Sequence, residues 1–465
     1  MSMFSSTIDA NDLRHQFRGA LVEPGDARWD AARQAYNLTF EQEPLLIAFP
    51  VDSADVQVLV AYASQRGIEL APQRTGHNAE PLGSLGDVIL VKTDAMRGVE
   101  IDETRRVARV LSGTKWADVV PVASDLGLAA MHGSTPDVSV VGYSLGGGIG
   151  WYARKLGLSA SSVVAIELVT ADGRFRRVDA DHDAELFWAL RGGGGNFGIV
   201  TAIEIQLYEI SEVYAGVLFF PWERSAEILH AWHEWTKTAP DDVTSVGRIL
   251  QFPPMEELPP FLRGQNFVVV EAVVLGDEAY GAELLRPLRE LGPAIDTFAM
   301  TAPVGISELH MDPPNPLPYA GGGHALLSEL TPAVIDDFVA ATGPGSGSPL
   351  VSAEIRHNGG ALSREAKGNG AFGSVPGQFM TFGVGIVFDP ASGEAVKAQL
   401  AMMEEVLEPV DTGRRYLNFT EETTDPAKFF GPEALARLQR VKARVDPSEI
   451  IRANHPIRPA AAPIC

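Results

Sequence analysis

Apolar and polar positions along the first part of the chain predict alternating strands and helices. LLIAFP at 45–50 predicts a buried strand, and VQVLVAYASQR after it has the apolar spacing of a helix. Asp52 or Ser53 is suited to cap the start of that helix, and Gly67 to end it. TKWADVVPVASDLGL predicts another helix, for which Thr114 is the expected cap.

Two segments in the same part of the chain predict β-hairpins. GVEIDETRRVARVLSG turns at DETR, and VVAIELVTADGRFRRV turns at Asp172-Gly173. Helices mixed with hairpins predict an α+β unit, which we place at residues 1–210. An enzyme built on a parallel sheet shows few hairpins, so the pattern disfavours that class.

From residue 211 onward the pattern changes. QNFVVVEAVVLG, HALLSEL, PLVSAEIRHNGGAL and QFMTFGVGIVFDP predict strands of a mostly antiparallel sheet covered by helices, at 211–412. Residues 413–465 predict a strand and a helix that return to the first domain. Two predicted loops, 301–323 and 363–377, have the length at which loops often carry function.

Composition and charge exclude several classes of protein. With 37 Lys and Arg against 60 Asp and Glu, the net charge is −23, which disfavours nucleic-acid binding. There is no apolar run of about 18 residues that could cross a membrane and no leader-like N-terminus, so we expect a cytoplasmic protein. The only cysteine is Cys465, and the 10 histidines form no ligand pair, so no metal site is expected. The oligomeric state stays open.

Three glycine-rich stretches interrupt the pattern, at 72–83, 132–150 and 190–201. Glycine is retained where the backbone takes unusual angles or approaches a ligand closely. Consecutive backbone N–H groups also bind anions such as a pyrophosphate. The stretches therefore predict either tight turns or the contacts of a large bound nucleotide.

Two narrower hypotheses use only the middle stretch. The sequence GYSLG, after the strand-like VSVV, fits the nucleophile elbow of a serine hydrolase, with Ser144 as nucleophile and His455 as base. Alternatively, Gly148, Gly150 and Ala153 fit a Rossmann fingerprint, with Glu167 as the ribose-binding acid. Neither hypothesis uses the other two stretches, whereas a large dinucleotide that contacts all three would.

The three stretches in this order, together with the closing YLNF…RVDPSEIIRANHPI, resemble the berberine-bridge-enzyme-like flavoproteins of the vanillyl-alcohol oxidase / p-cresol methylhydroxylase (PCMH) superfamily. The resemblance covers nearly the whole chain. It implies a PCMH-type FAD-binding domain of two subdomains plus a substrate domain. It also implies an oxidase that passes hydride from a small-molecule alcohol, sugar or amine to flavin and then electrons to O2. A protein that binds flavin or a small molecule without turnover is the non-enzymatic alternative.

The resemblance also assigns cofactor contacts. His77, in QRTGH, falls where relatives attach FAD covalently, and Thr135 replaces the cysteine of a second link, so no cysteinyl bond is implied. Val138 falls beside the flavin, where a small aliphatic residue admits O2. The other implied FAD contacts are Arg74, Thr75, Gly76, Asn78, Ser134, Gly142, Tyr143, Gly146, Gly147, Gly150, Gly195, Gly198, Val200 and Asn418.

The catalytic residues are harder to assign. The family's Y-x-N-Y motif reads Tyr416-Leu417-Asn418-Phe419, so the hydroxyl that helps with the proton in many relatives is missing at Phe419. In SAEIRHNGG, strand alternation puts Glu354 and Arg356 on one face and His357 on the other. We expect His357 and Tyr416 to be catalytic, with Glu421, Tyr319 and His324 as further candidates. The substrate itself stays open.

Overall fold

A computed structural model of the chain describes residues 10–256, 258, 260–313, 315–366 and 368–461. The extreme N-terminus and Cys465, on which two of the expectations above rest, lie outside these ranges. In the described ranges no helix has both the length and the apolar content needed to cross a membrane.

A four-stranded sheet of order β1-β2-β4-β3 forms the first unit, with β2, β4 and β3 parallel. Helix α3 lies between β2 and β3. Its first N–H groups donate to the side chain of Asp52, and it ends at Gly67 in the left-handed conformation (φ 64°), which confirms both predicted ends. The elements are α1 (Ala10–Arg14), β1 (Ala20–Val22), α2 (Trp29–Ala32), β2 (Leu46–Phe49), α3 (Ser53–Arg66), β3 (Glu69–Gln73) and β4 (Val88–Lys92).

A five-stranded antiparallel sheet of order β5-β6-β9-β7-β8 follows, and it contains both predicted hairpins. The predicted cap Thr114 is wrong, because its hydroxyl bonds to the backbone of Gly98 and α4 starts one residue later, after Lys115. The elements are β5 (Val99–Asp102), β6 (Val107–Leu111), α4 (Trp116–Asp125), α5 (Val140–Leu145), α6 (Ala153–Leu156), β7 (Val163–Val169), β8 (Phe175–Asp179), α7 (Ala184–Leu190) and β9 (Ile199–Gln206).

The segment around Ser144 differs from the strand-and-turn expectation. Ser139 caps helix α5, and Ser144 lies inside this helix with 1% of its surface exposed. Its Oγ is 3.0 Å from the hydroxyl of Ser159. A nucleophile elbow needs an exposed serine on a strand-to-helix turn, so the hydrolase alternative is wrong.

The third unit is a nine-stranded antiparallel sheet whose main path is β13-β10-β12-β11-β17-β18-β15. On one face, Ala353 and Ile355 pack in a core with Trp232, Phe338 and Leu400 of the covering helices. The elements are β10 (Val213–Pro221), α8 (Ser225–Thr236), β11 (Val243–Gln251), β12 (Asn266–Val274), α9 (Glu278–Arg289), β13 (Ile295–Asp296), β14 (Ala299–Thr301), β15 (Tyr319–Gly322), β16 (Leu326–Leu327), α10 (Pro332–Thr342), β17 (Ser352–His357), β18 (Phe379–Ile386) and α11 (Pro390–Leu407).

Two predictions for this sheet need correction. The predicted strand HALLSEL shortens to β16, and the predicted loop 301–323 includes the strand β15. Strand β15 pairs with β18 from Tyr319 to Gly322. Glycine is uncommon in strands, so the sequence of β15 does not indicate one. The strand forms through backbone hydrogen bonds, which do not depend on the side chains.

The C-terminal segment packs against the first unit, and its described residues contain helix α12 (Pro432–Val445) but not the predicted strand. After this helix, the backbone of Ile450 and Arg452 bonds on both sides of Leu70 in β3, at 2.8 and 2.9 Å. The segment thereby covers the outer edge of the four-stranded sheet. Whether residues 1–210, 211–412 and 413–465 behave as separate domains stays a prediction.

Candidate functional site

A cavity of about 440 Å³ is lined by all three units and by the C-terminal segment. Each of the three glycine-rich stretches contributes to its wall, so the fold brings the three stretches together around one cavity. The nine-stranded sheet contributes the face of β17 opposite to Ala353 and Ile355, with Glu354 and Arg356. The cavity therefore joins the predicted cofactor region to the predicted substrate region.

Most of the predicted cofactor contacts line this cavity, and the exceptions are two glycines. A Cβ added to Gly150 would lie 1.9 Å from the carbonyl oxygen of His132, and one added to Gly147 would lie 3.2 Å from the Phe372 ring. These two glycines allow close packing behind the wall instead of forming it. The predicted residues that line the cavity are Arg74, Thr75, Gly76, His77, Asn78, Ser134, Thr135, Val138, Gly142, Tyr143, Gly146, Gly195, Gly198, Val200, Tyr416 and Asn418.

His77 is fixed on three sides. Its ring stacks on Tyr36, with centroids 3.7 Å apart and planes 14° from parallel. Its Nδ1 lies 2.8 Å from the hydroxyl of Thr75, and its Nε2 lies 3.6 Å from a carboxylate oxygen of Asp137. Nε2 is buried and has no hydrogen-bond partner among the described residues. A buried ring nitrogen of this kind is available for a ligand.

Other features of the wall fit FAD. The Oδ1 of Asn78 and the hydroxyl of Tyr143 are also buried without a hydrogen-bond partner among the described residues. A Cβ added to Gly195 would meet no atom within 4 Å, so the backbone there faces open space. Unpaired polar groups and bare backbone in one elongated cavity suit a large ligand with polar and aromatic parts.

Tyr416 lines the cavity, but its hydroxyl is already occupied. It accepts hydrogen bonds from the backbone N–H groups of Gly148 (3.0 Å) and Ile149 (3.1 Å) and from Nδ2 of Asn418 (3.0 Å). Burial raises the pKa of Tyr416 above its ordinary value. Through these contacts Tyr416 anchors the glycine-rich loop. Its hydroxyl oxygen has no free lone pair with which to accept a substrate proton.

Glu421 and Tyr319 form a polar pair in the cavity wall. The hydroxyl of Tyr319 lies 3.1 Å from Oε1 of Glu421 and 3.2 Å from the backbone oxygen of His77. Burial raises the pKa of Glu421 to about 8. A carboxyl group with such a pKa changes its proton state near neutral pH, as a general acid or base does.

A cluster of buried charges lies on the sheet side of the cavity, and sequence analysis found only part of it. Arg248 of β11 and Glu271 of β12 are 2.6 Å apart, and His310 lies 2.6 Å from Glu271 and 2.8 Å from Glu354. Arg356 completes the cluster, 2.6 Å from Glu354. The available signal was a single charged residue within each of the otherwise uncharged strands VTSVGRILQ and NFVVVEAVV.

The structure does not place His357 and His324 in this cavity. His357 lies on the other face of β17, beside a separate cavity of about 20 Å³, and its ring stacks on Phe379. Burial lowers its pKa to about 3 and that of His324 to about 4. The predicted alternation was right, but the face that we assigned to catalysis was wrong.

Comparisons with known proteins find FAD-binding relatives of this chain. A family model described as FAD binding domain matches residues 44–179, and one described as berberine and berberine like matches residues 415–458. The chain is 28% identical to (R)-6-hydroxynicotine oxidase of Paenarthrobacter nicotinovorans, over 95% of this chain and 97% of that protein. It is 30% identical to glucooligosaccharide oxidase of Sarocladium strictum, over 45% of this chain and 43% of that protein.

Solved structures share the fold over the whole length. The BBE-like 1 protein of Physcomitrella patens superposes with a TM-score of 0.85 at 19% identity, covering 98% of this chain and 100% of that one. The 6-hydroxy-D-nicotine oxidase of Arthrobacter nicotinovorans superposes with a TM-score of 0.82 at 24% identity, covering 96% and 98%. The predicted α+β fold of PCMH type is confirmed.

Fold, cavity and family models together define an FAD-dependent oxidoreductase. Within that class, the chain is similar to the berberine-bridge-enzyme-like FAD-linked oxidases of the vanillyl-alcohol oxidase / PCMH superfamily. The Rossmann alternative is wrong, because Glu167 lies within the antiparallel strand β7 and pairs with Arg109 at 2.7 Å.

Proposed function

We propose that the protein carries FAD covalently on His77 and oxidises a C–H bond next to an amine or alcohol group of a small molecule, with O2 as electron acceptor. The observation that carries the proposal is the unpartnered Nε2 of His77, in the same cavity as the Glu421–Tyr319 pair. The names of the relatives, a hydroxynicotine oxidase and an oligosaccharide oxidase, are consistent with these substrate classes.

Covalent attachment needs a histidine that is held still and has a free nitrogen. The stack on Tyr36 and the contact with Thr75 restrict the His77 ring, while Nε2 lacks a hydrogen-bond donor or acceptor among the described residues. The Asp137 carboxylate lies near the same nitrogen, at 3.6 Å, beyond hydrogen-bond distance. These contacts support His77 as the attachment residue.

We propose Glu421 as the group that accepts the substrate proton, in place of the hydroxyl that Phe419 lacks. Bound FAD supplies the hydride acceptor and passes the electrons on to O2. An alcohol loses its O–H proton when hydride leaves the neighbouring carbon, and an amine must lose the proton of its ammonium form before hydride can leave. Ionised Glu421 accepts that proton at a carboxylate oxygen, and Tyr319 holds the carboxylate in position.

Two further parts of the proposal concern oxygen and domains. Val138 lines the cavity, and its small side chain supports an oxidase that admits O2. We assign FAD binding to residues 1–210 with 413–465, and substrate binding to 211–412, since the charged cluster belongs to the latter and His77 to the former.

A visible absorption spectrum of the purified protein, before and after acid precipitation, tests covalent attachment. We expect a yellow protein whose colour stays with the pellet. We also expect His77→Ala to release its flavin to the supernatant, with a flavin-labelled peptide containing residue 77 found only in the parent protein.

The matched control is His182→Ala, since His182 is exposed and pairs with Asp179 away from the cavity. This variant should keep the colour in the pellet. Colour released from the parent protein would remove the covalent bond from the proposal, and colour retained by His77→Ala would remove His77 as its site.

A further inference from the structure

We infer that the cavity recognises an anionic group of the substrate, a carboxylate or an ionised hydroxyl, through the guanidinium of Arg356. The inference rests on the proposed function, because it concerns the substrate of that same cavity. It narrows the substrate to a small molecule with an apolar body and one negatively charged oxygen group.

The guanidinium of Arg356 is held rigidly but incompletely. Its Nε donates to Oε1 of Glu354 at 2.6 Å, and its Nη2 lies 3.1 Å from Nε2 of His310. Nη1 has no hydrogen-bond partner among the described residues, and 13% of the side chain is exposed, towards the cavity that it lines. A guanidinium fixed in this way presents its remaining N–H donors to a planar oxygen acceptor.

The ring of Phe419 lies beneath this guanidinium, with Cζ of Arg356 5.0 Å from the ring centroid. The contact holds the cation over an aromatic face without using its N–H donors. Because Phe419 has no hydroxyl, it offers no oxygen to Arg356. The free donors are therefore left for a ligand.

The carboxylates of the cluster are already used by their own partners. Both oxygens of Glu354 are engaged, by Arg356 and His310, and both oxygens of Glu271 by Arg248 and His310. Burial and Arg248 oppose a charge on His310, but Glu271 and the other nearby carboxylates raise its pKa above the ordinary value. Three cationic groups then face three carboxylates, those of Glu271, Glu354 and Asp312, so the cluster carries no net negative charge that would repel an anion.

Asp312 is the other anion in this part of the wall, and the hydroxyl of Thr135 donates to its Oδ2. The next strand, β18, adds an apolar strip of Phe382, Val384 and Ile386. Buried ion clusters contribute little stability compared with apolar packing, so stability alone does not account for this one. A positive anchor beside an apolar strip matches an apolar molecule with one anionic group.

Isothermal titration calorimetry of the purified holoenzyme with three probes of one shape tests the inference. Benzoate carries the anion, benzamide is neutral, and benzylamine is cationic. We expect benzoate to bind roughly ten-fold or more tightly than the other two, as one charge-assisted contact implies. Arg356→Gln should bring benzoate close to benzamide, and Arg356→Lys should keep part of the difference.

Arg289→Gln is the matched control, because Arg289 pairs with Asp296 and does not line the cavity, and it should leave all three affinities unchanged. Equal binding of benzoate and benzamide to the parent protein would overturn the inference, and this comparison needs no variant to fold. The inference would also be overturned if Arg356→Gln kept the benzoate affinity and lowered the flavin reduction potential. That result would mean that the guanidinium interacts with the cofactor and not with the substrate.

The titration and the test of the proposed function fail separately. Calorimetry measures binding heat whether or not the flavin is covalent and whether or not the ligand is oxidised. Loss of the covalent bond would therefore leave the benzoate preference readable, and loss of the preference would leave the acid-precipitation result standing.

Discussion

Glu421 is a side chain whose surroundings come from parts of the chain that are distant in sequence. It follows Phe419 by two positions, and its Oε1 meets the Tyr319 hydroxyl within the cavity that His77 also lines. Sequence analysis named it only as a weaker candidate, because nothing in TEETT distinguishes a carboxylate that faces a cavity from one that faces water. Burial raises its pKa, whereas the hydrogen bond with Tyr319 of strand β15, 102 positions away in the chain, lowers it.

Glu421→Gln should remove a pH dependence of stability. The folded-state pKa of Glu421 is raised to about 8 from an ordinary 4.5, so the folded protein binds more protons than the unfolded one between these values. The contribution is fully present at low pH and is lost as pH rises towards 8. We expect the parent Tm to fall relative to that of Glu421→Gln by roughly 2–4 °C or more between pH 5.5 and 8.5, by differential scanning calorimetry.

Glu422→Gln is the control for this change, because Glu422 is the exposed neighbour. Its Tm should follow the parent at every pH. With any substrate that reduces the flavin, Glu421→Gln should also lower kcat/KM by about 10²-fold or more. The increase of kcat/KM as pH rises through 8, which ionisation of Glu421 causes in the parent, should be absent from this variant. A parallel Tm curve for Glu421→Gln and parent would mean that the carboxyl is ionised throughout.

At the scale of elements, strand β17 shows both the reach and the limit of sequence analysis. Period-two alternation correctly placed Glu354 and Arg356 on one face and His357 on the other. Which face meets the cavity depends on the helices that cover the opposite side, and no residue within the strand specifies them. The helix caps at Asp52 and Gly67 were predictable because their cause is local.

The short segment that contains Tyr416 anchors the second glycine-rich stretch, at 132–150. Tyr416→Phe deletes the acceptor for two buried backbone N–H groups and for the half-buried Asn418. We expect a loss of about 2–4 kcal/mol in the free energy of unfolding, with a lower flavin content per chain, measured by denaturant titration and absorbance. The increase of kcat/KM through pH 8 that depends on Glu421 should remain in this variant.

Tyr214→Phe serves for comparison, because the buried Tyr214 hydroxyl accepts one bond, from Arg289, at the far side of the nine-stranded sheet. It should cost about 1 kcal/mol and leave the flavin content unchanged. If Tyr416→Phe instead abolished turnover while stability and flavin content stayed at parent values, Tyr416 would be catalytic, as the sequence first suggested.

At the scale of the whole molecule, the C-terminal segment connects units that are far apart in sequence. Lys442 is 2% exposed, pairs with Asp446 at 2.6 Å, and donates to the backbone oxygens of Asn196 and Ile451. The sequence indicated that this segment returns to the first domain. It gave no sign that a buried lysine holds the junction, because KARVD reads as an ordinary exposed helix end.

Lys442→Met should destabilise the entire molecule, because it leaves the Asp446 carboxylate buried without its cation. Backbone N–H groups of Ile450 and Ile451 still donate to that carboxylate, so we expect a loss of about 3–5 kcal/mol, not complete unfolding. Lys237→Met, in the exposed pair with Glu234, should cost under about 1 kcal/mol. Equal losses in the two variants, by denaturant titration, would contradict the role of Lys442.

The backbone pairing of Ile450 and Arg452 with β3 also has a consequence for synthesis. Arg452 and its partner Glu69 are 383 positions apart. At 5–20 residues per second, the outer edge of β3 waits roughly 20–80 s on the ribosome before its partner emerges. During that interval the edge is open to pairing with other chains, a recognised route to aggregation. Closure of the flavin-binding unit therefore cannot precede the synthesis of residues 450–452.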